Sequence, residues 1–203
     1  MNDLHKRIIE ISKKHKLSHV GSSLTSVNII DEIYKIKKED EPFILSCGHS
    51  GLALYVINEK YYNIDAQTAY LHHGSHPDRC EECKLDCSTG SLGNGLPIGI
   101  GMALADRTKN VYCLISDGES AEGSIWEAIR VLREQNLTNL KVYLNWNGWG
   151  AYRDQRYPFP EDFDGVIKER VTNCDYLPFL KGQIGHYKVM NEKEHKEALE
   201  VLK

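Results

Sequence analysis

The sequence predicts an α/β fold, with a central, mostly parallel sheet and helices on both faces. Three observations predict it. Val111–Trp149 reads as strand, tight acidic turn, helix, strand and polar turn (VYCLI, SDGESAEGS, IWEAIRVLREQNLTN, LKVYL, NWNGW). That is about the length a βαβ unit needs, and the two parallel strands of such a unit end at the same sheet edge. Phe43-Ile44-Leu45 is a short apolar run that reads as a buried strand. The segments around these runs carry apolar residues at helical spacing.

In chain order, Leu4, Ile8 and Ile11 with Lys and Arg between them predict an amphipathic helix over 3–15. His19–Ser23 reads as a polar loop. Thr25 or Ser26 is then the expected cap of a second helix that buries Ile29, Ile30 and Ile33. After the 43–45 strand a helix carries Leu52, Leu54, Val56 and Ile57, and Asp65 caps a short helix over 66–71. Residues 72–91 read as a loop dense in His, Cys, Gly and Asp. Leu96–Asp106 reads as a helix with interior glycines at 99 and 101. Two such glycines cost roughly 2 kcal/mol against alanine, and close approach of another backbone would account for them. Beyond Trp149, residues 150–165 read as irregular, with Tyr157-Pro158-Phe159-Pro160 at their centre. Leu177–Met190 is expected to hold a strand, and 192–202 a closing helix.

Composition narrows the function classes. The 203 residues predict one domain, 1–203, large enough for its own core. A net charge of −4 gives no electrostatic case for nucleic acid or an anionic membrane surface. No apolar run approaches the roughly 20 residues needed to span a bilayer, and the polar N-terminus does not read as a signal peptide. The expected location is cytoplasmic, which would keep the six cysteines reduced.

Asp117-Gly118 and Asn147 stand thirty residues apart, one at each turn of the βαβ unit. Both fall at the carboxyl edge of the predicted sheet, where open α/β sheets bind ligands. A carboxylate and an amide oxygen beside a turn glycine suit a hard cation such as Mg²⁺, or Ca²⁺ or Mn²⁺, holding a diphosphate. The helix expected to begin near Ser124 would point its N-terminus the same way.

These residues carry a family resemblance. SDGESAEGSIWEA…NWNG resembles the thiamine diphosphate motif, an acidic Gly-Asp-Gly turn followed about 30 residues later by an Asn. STGSLGNGLPIGIGMALADR (88–107) resembles the glycine-rich segment of transketolases. FILSCGHSGLALY (43–55) resembles their early His-containing loop, and HPDR (76–79) their second one. The resemblance implies the thiamine diphosphate-binding fold. It also implies an N-terminal, diphosphate-binding subunit of a split transketolase, without a pyrimidine-binding domain. A C-terminal pyrimidine-binding partner subunit, in an α₂β₂ assembly, would complete the site. The activity implied is transfer of a two-carbon ketol unit from a ketose, or its phosphate, to an aldose.

By the same resemblance, Asp117, Asn147 and the main-chain carbonyl of Trp149 ligate the metal. His49, Gly90, Leu92, Gly118, Glu122 and Asn147 contact the cofactor, Glu122 reaching toward the partner. His19 and His76 face the substrate, and His186 falls in a region where transketolases carry a substrate-facing histidine. His5, His15, His72, His73 and His195 match nothing and are expected at the surface. Ser116 stands where the motif has its first glycine, and Asn145-Trp146 where acidic residues are common. Two other readings stay open: another thiamine diphosphate enzyme (2-oxoacid dehydrogenase α-like or deoxyxylulose-phosphate synthase-like), and a non-catalytic binding or regulatory homologue.

One cluster stands apart. His76-x₃-Cys80-x₂-Cys83-x₃-Cys87 offers four soft ligands in twelve residues. Its single Cys-x₂-Cys pair suggests structural Zn²⁺ at Cys80, Cys83 and Cys87. His72 or His73 as fourth ligand would leave His76 free; unligated thiols and a redox role are the alternatives.

Overall fold

The computed structural model describes residues 3–155 and 167–203. Four strands, β1 (Phe43–Leu45), β2 (Val111–Ser116), β3 (Leu140–Trp146) and β4 (Ile167–Val171), form one sheet in the order β1-β2-β3-β4. Every neighbouring pair is parallel, with Leu45 opposite Leu114, Ser116 opposite Asn145 and Trp146 opposite Val171. The carboxyl ends of all four strands therefore share one edge.

The helices are α1 (Asp3–His15), α2 (Val20–Ile36), α3 (Gly51–Tyr62), α4 (Ala66–His73), α5 (Gly95–Ala105), α6 (Gly123–Glu134), α7 (Gly182–His186) and α8 (Glu192–Val201). Strand alternation sorts them onto two faces. Phe43, Leu45, Tyr112, Leu114 and Tyr143 pack with residues of α1, α2, α3, α4 and α8. Ile44, Cys113, Ile115, Val142 and Leu144 pack with residues of α5 and α6 on the other face. Within α6 the buried set is Ile125, Ala128, Ile129 and Leu132, the i, i+3, i+4, i+7 stripe of a helix laid on a sheet. No helix among the described residues is long and apolar enough to cross a membrane.

Four sequence expectations change. The second helix begins at Val20, not after Thr25, so the expected polar loop is its first turn. Thr25 and Ser26 do not cap it. The Thr25 hydroxyl donates back to the carbonyls of Gly21 and Ser22, while Asn145 Nδ2 donates to the Thr25 and Ser26 hydroxyls at 3.0 and 3.1 Å. Tertiary partners replace the capping role. The last strand is Ile167–Val171 rather than part of 177–190, where a short 3₁₀ turn and α7 stand instead. It was hidden because, as an edge strand, it buries only Ile167 fully and shows no alternation.

The close backbone approach inferred for the α5 glycines belongs to Gly95. A Cβ there would lie 2.6 Å from Ser46 Cα, whereas Gly99 meets the side chains of Ile44 and Leu140, and Gly101 meets open space. Finally, of the five histidines expected at the surface only His72 is exposed. His5 is buried under Tyr176, and His15, His73 and His195 are half-buried. The Tyr157–Pro160 stretch lies outside the described residues.

Candidate functional site

Three loops meet at the carboxyl edge. After β1, the 3₁₀ turn Gly48–Ser50 carries His49. A Cβ on Gly48 would stand 2.6 Å from the Thr89 carbonyl oxygen and 2.8 Å from the Gly90 nitrogen, so only glycine lets the β1 loop meet the 88–90 segment. The Thr89 hydroxyl closes that junction by donating to the Leu45 carbonyl at 2.7 Å. After β2 comes Asp117-Gly118, and after β3 Asn147-Gly148-Trp149. The chain then folds back in a tight antiparallel turn, with Gly150 N–H donating to Arg153 O and Gln155 N–H to Gly148 O. Those two bonds engage the carbonyls of Arg153 and Gly148, not that of Trp149.

Asp117 is only 2% exposed. Its Oδ1 accepts the Gly118 N–H at 2.9 Å and its Oδ2 the Gly148 N–H at 2.6 Å. Burial raises its pKa to about 6, against the opposing pull of backbone N–H groups of Gly148, Gly118, Asn147 and Trp149. A carboxylate so desolvated, and held by dipoles alone, has its natural partner in a cation. Asn147 Oδ1 accepts the Trp149 N–H at 3.0 Å, which orients the amide at the same loop. Carboxylate, amide oxygen and main-chain carbonyl form an all-oxygen donor set suited to Mg²⁺.

Across from this loop lies a cluster of imidazoles. The His19 ring sits 4.6 Å from that of His186 and 5.4 Å from that of His49, and His49 is 5.7 Å from His186. His19 precedes α2 in the left-handed region at φ 56°. Such a backbone is uncommon for a non-glycine residue and is retained where surroundings over-determine it. Here the His19 N–H donates to the His186 carbonyl at 3.0 Å. Its Nδ1 is buried without a hydrogen-bond partner. Burial, then the neighbouring imidazoles, lowers the pKa of His49 to about 3 and of His19 to about 4. Burial also lowers that of His186.

These groups line one cleft of about 210 Å³. Its walls include His19, His49, His76 and His186, then Gly90 and Leu92, and then Asp117, Gly118, Asn147 and Trp149. A smaller cavity of about 40 Å³ adjoins it, sharing Ser22, Asn147, Trp149 and His186. Of the candidates, the structure leaves out Glu122. It is exposed at the N-cap of α6, carried outward by the intervening 3₁₀ turn Glu119–Ala121. The N-terminus of α6 likewise faces the Gly93 turn, Ser124 donating to the Gly93 carbonyl at 3.0 Å.

Sequence reasoning missed Glu119, which is fully buried. Its carboxylate accepts from the Ser46 hydroxyl at 2.6 Å, the Gly93 N–H at 2.9 Å and the Ser116 N–H at 3.0 Å. One carboxylate thereby ties the β1 loop, the glycine-rich segment and the end of β2. Asn145 was also missed. Its Oδ1 accepts from Thr172 while its Nδ2 reaches α2, joining β3, α2 and the end of β4. Two acids three residues apart offered no signal as to which turns inward.

The profile of the thiamine pyrophosphate enzyme C-terminal TPP binding domain matches residues 58–203. The chain belongs to the thiamine pyrophosphate enzyme family. That profile names a C-terminal domain, so it supports the cofactor-binding module but not the N-terminal placement implied by the motifs. Within the family this chain is 33% identical to an apulose-4-phosphate transketolase subunit from Phocaeicola vulgatus over 163 residues, 70% of this chain and 57% of that protein. It is 33% identical over 166 residues to the 6-deoxy-6-sulfo-D-fructose transketolase subunit SqwG of a Clostridium species, 72% of this chain and 60% of that one. The chain thus spans under two thirds of the length of these curated relatives. The crystal structure of transketolase from Campylobacter jejuni superposes with a TM-score of 0.74 at 18% identity, over 98% of this chain and 43% of that one. That likeness concerns the fold.

The histidine cluster predicts a pH response of the chain's stability. Unfolded, these imidazoles take up protons near pH 6.5; folded, His19 does so only near 4 and His49 near 3. His186, His76 and Tyr187 are the other titratable groups facing them. Between those pH values the folded chain binds fewer protons, so this contribution to stability is complete above pH 6.5 and falls as the solution is acidified. Urea unfolding is expected to show lower stability at pH 5 than at pH 7, His49 alone accounting for about 2 kcal/mol of the loss. His49→Gln should flatten that slope; an unchanged slope in the variant would remove the cluster as its cause.

Proposed function

We propose that this chain is the N-terminal, diphosphate-binding subunit of a split transketolase, active when a pyrimidine-binding partner completes its cleft. The observation that carries the reading is the convergence of Asp117, Asn147 and four histidines in one cleft at the carboxyl edge. The curated relatives named as transketolase subunits support both the reaction class and the need for a partner. A two-fold pair of such heterodimers, α₂β₂, is the assembly this reading expects.

Asp117, Asn147 and the Trp149 carbonyl would hold Mg²⁺, with Gly90, Leu92 and Gly118 walling the diphosphate beside it. When bound, thiamine diphosphate supplies the reactive carbon that takes up the two-carbon unit, and the protein supplies orientation and electrostatics. His19, His49 and His186 are held neutral by burial, so each offers one N–H donor and one acceptor nitrogen. Neutral imidazoles can hydrogen-bond the carbonyl and hydroxyl groups of a sugar and move a proton between them. His76 stands exposed at the cleft wall, beside Gly90, where an entering sugar would meet it. Glu119 and Asn145 are positioning residues that fix the loops beneath.

The test is reconstitution. This chain and a candidate pyrimidine-binding chain are purified separately, mixed with thiamine diphosphate and Mg²⁺, and assayed for ketol transfer between a ketose phosphate and an aldose phosphate. Turnover is expected from the mixture and from neither chain alone. Turnover by this chain alone, or cofactor binding without turnover in a stable two-chain complex, would contradict the proposal.

A further inference from the structure

The cysteine cluster resolves differently from its spacing. Cys87 turns away, its thiol facing the Ser88 carbonyl and packing toward the α5–α6 side of the sheet. His73, at the C-terminal end of α4, takes its place. Among the described residues, ligand atoms of His73, Cys80 and Cys83 all lie within 4.8 Å of one another. A tetrahedral zinc with these donors needs separations of about 3.5–3.8 Å, so contraction of at most roughly an ångström brings the three donors to ligand distance.

The surrounding chain is built for such a site. Cys80 and Leu85 exchange backbone hydrogen bonds at 2.9 and 2.8 Å, closing a tight loop. Lys84 takes the left-handed region at φ 55° immediately after Cys83. The Cys83 N–H donates to Cys80 Sγ at 3.3 Å, folding the backbone around that sulfur. Asn58, 1% exposed, donates to the carbonyls of Cys83 and Lys84 and itself accepts from the Tyr34 hydroxyl. The His73 ring stacks on Tyr55, and its Nε2 is buried with no hydrogen-bond partner. Two thiols, an imidazole with an orphaned nitrogen, a strained knuckle and a buried amide holding that knuckle in place are more than a half-buried pair of thiols requires.

We propose that His73, Cys80 and Cys83 bind a Zn²⁺ that fastens the loop between α4 and α5, a three-residue donor set that leaves the fourth position to solvent. Two thiolates and an imidazole are the donor set zinc favours over Mg²⁺. The loop so fastened carries His76, whose ring packs on Gly90. Zinc at Cys80 and Cys83 would therefore fix the position of His76 without engaging it, removing the conflict between a metal-binding and a substrate-facing role for that histidine. The site stands independently of the transketolase reading.

Metal analysis of the full chain, expressed with added zinc under reducing conditions and without thiamine diphosphate, tests it. The wild type is expected to hold about one zinc per chain and Cys80→Ser/Cys83→Ser less than about a tenth of that, while Cys87→Ser and Cys174→Ser keep the full amount. Should the double variant not fold, cobalt titration of the wild type and of Cys87→Ser decides. Both should show the same thiolate-to-cobalt charge-transfer absorption, and His73→Ala should bind cobalt at least about tenfold more weakly. Zinc-free wild type, or loss of zinc in Cys87→Ser, would overturn the proposal.

Discussion

Asp117→Ala is expected to weaken Mg²⁺-dependent binding of thiamine diphosphate by about 100-fold or more. The reasoning rests on desolvation. Asp117 is held in a place where its charge is unfavourable, its pKa raised to about 6 despite backbone donors. A buried carboxylate in that state gains more from a divalent cation than an exposed one does, because little water remains to compete. Alanine removes the carboxylate proposed to ligate the metal and also leaves the Gly118 and Gly148 N–H groups without their acceptor. Calorimetric titration of cofactor into the chain, with Mg²⁺ and with chelator, measures the effect. The wild type should lose affinity on chelation and the variant should not. Equal Mg²⁺ dependence in both would remove the metal assignment.

Glu119→Ala is expected to destabilise the chain by about 3 kcal/mol or more, a fall in Tm of roughly 10 °C for a chain of this size. Three donors from three segments converge on this carboxylate: the Ser46 hydroxyl and the N–H groups of Gly93 and Ser116. Removal strands all three in a dry site, and a stranded buried donor loses its full desolvation energy rather than the small net value of an exchanged hydrogen bond. Glu119→Gln should recover only part of the loss, since its NH₂ must face one of those donors. Thermal unfolding of the three proteins at pH 7 reads this. A loss below about 1 kcal/mol for the alanine variant would show that the segments hold together without Glu119.

What was legible in the sequence is what local chemistry dictates. The crossover length and the two turns placed Asp117 and Asn147 at one sheet edge, because a parallel βαβ unit has little freedom in where its strands end. The α1 and α6 stripes were legible because their buried faces repeat at helical spacing, and α3 because its whole first half is apolar and buried. What was not legible depends on contacts between distant segments. The start of α2 rests on His19, a left-handed residue with no side-chain cap, held by the His186 carbonyl far along the chain. His73 rather than Cys87 joins the thiol pair because α4 ends beside the knuckle, which spacing does not encode. Glu119 and Glu122 are equivalent in composition; the 3₁₀ turn between them decides which is buried. Asn145, read as a departure from the motif, holds β3, α2 and the end of β4 together.

The central claim is that one cleft at the carboxyl edge of the sheet holds the cofactor's metal and diphosphate. Paramagnetic broadening of backbone amide resonances by Mn²⁺, recorded on the chain with and without thiamine diphosphate, tests it most directly and suits weak binding. Broadening that requires the diphosphate and centres on residues 117–118, 147–150 and 90–92 is the predicted result. Broadening centred elsewhere, or unaffected by thiamine diphosphate, would contradict it.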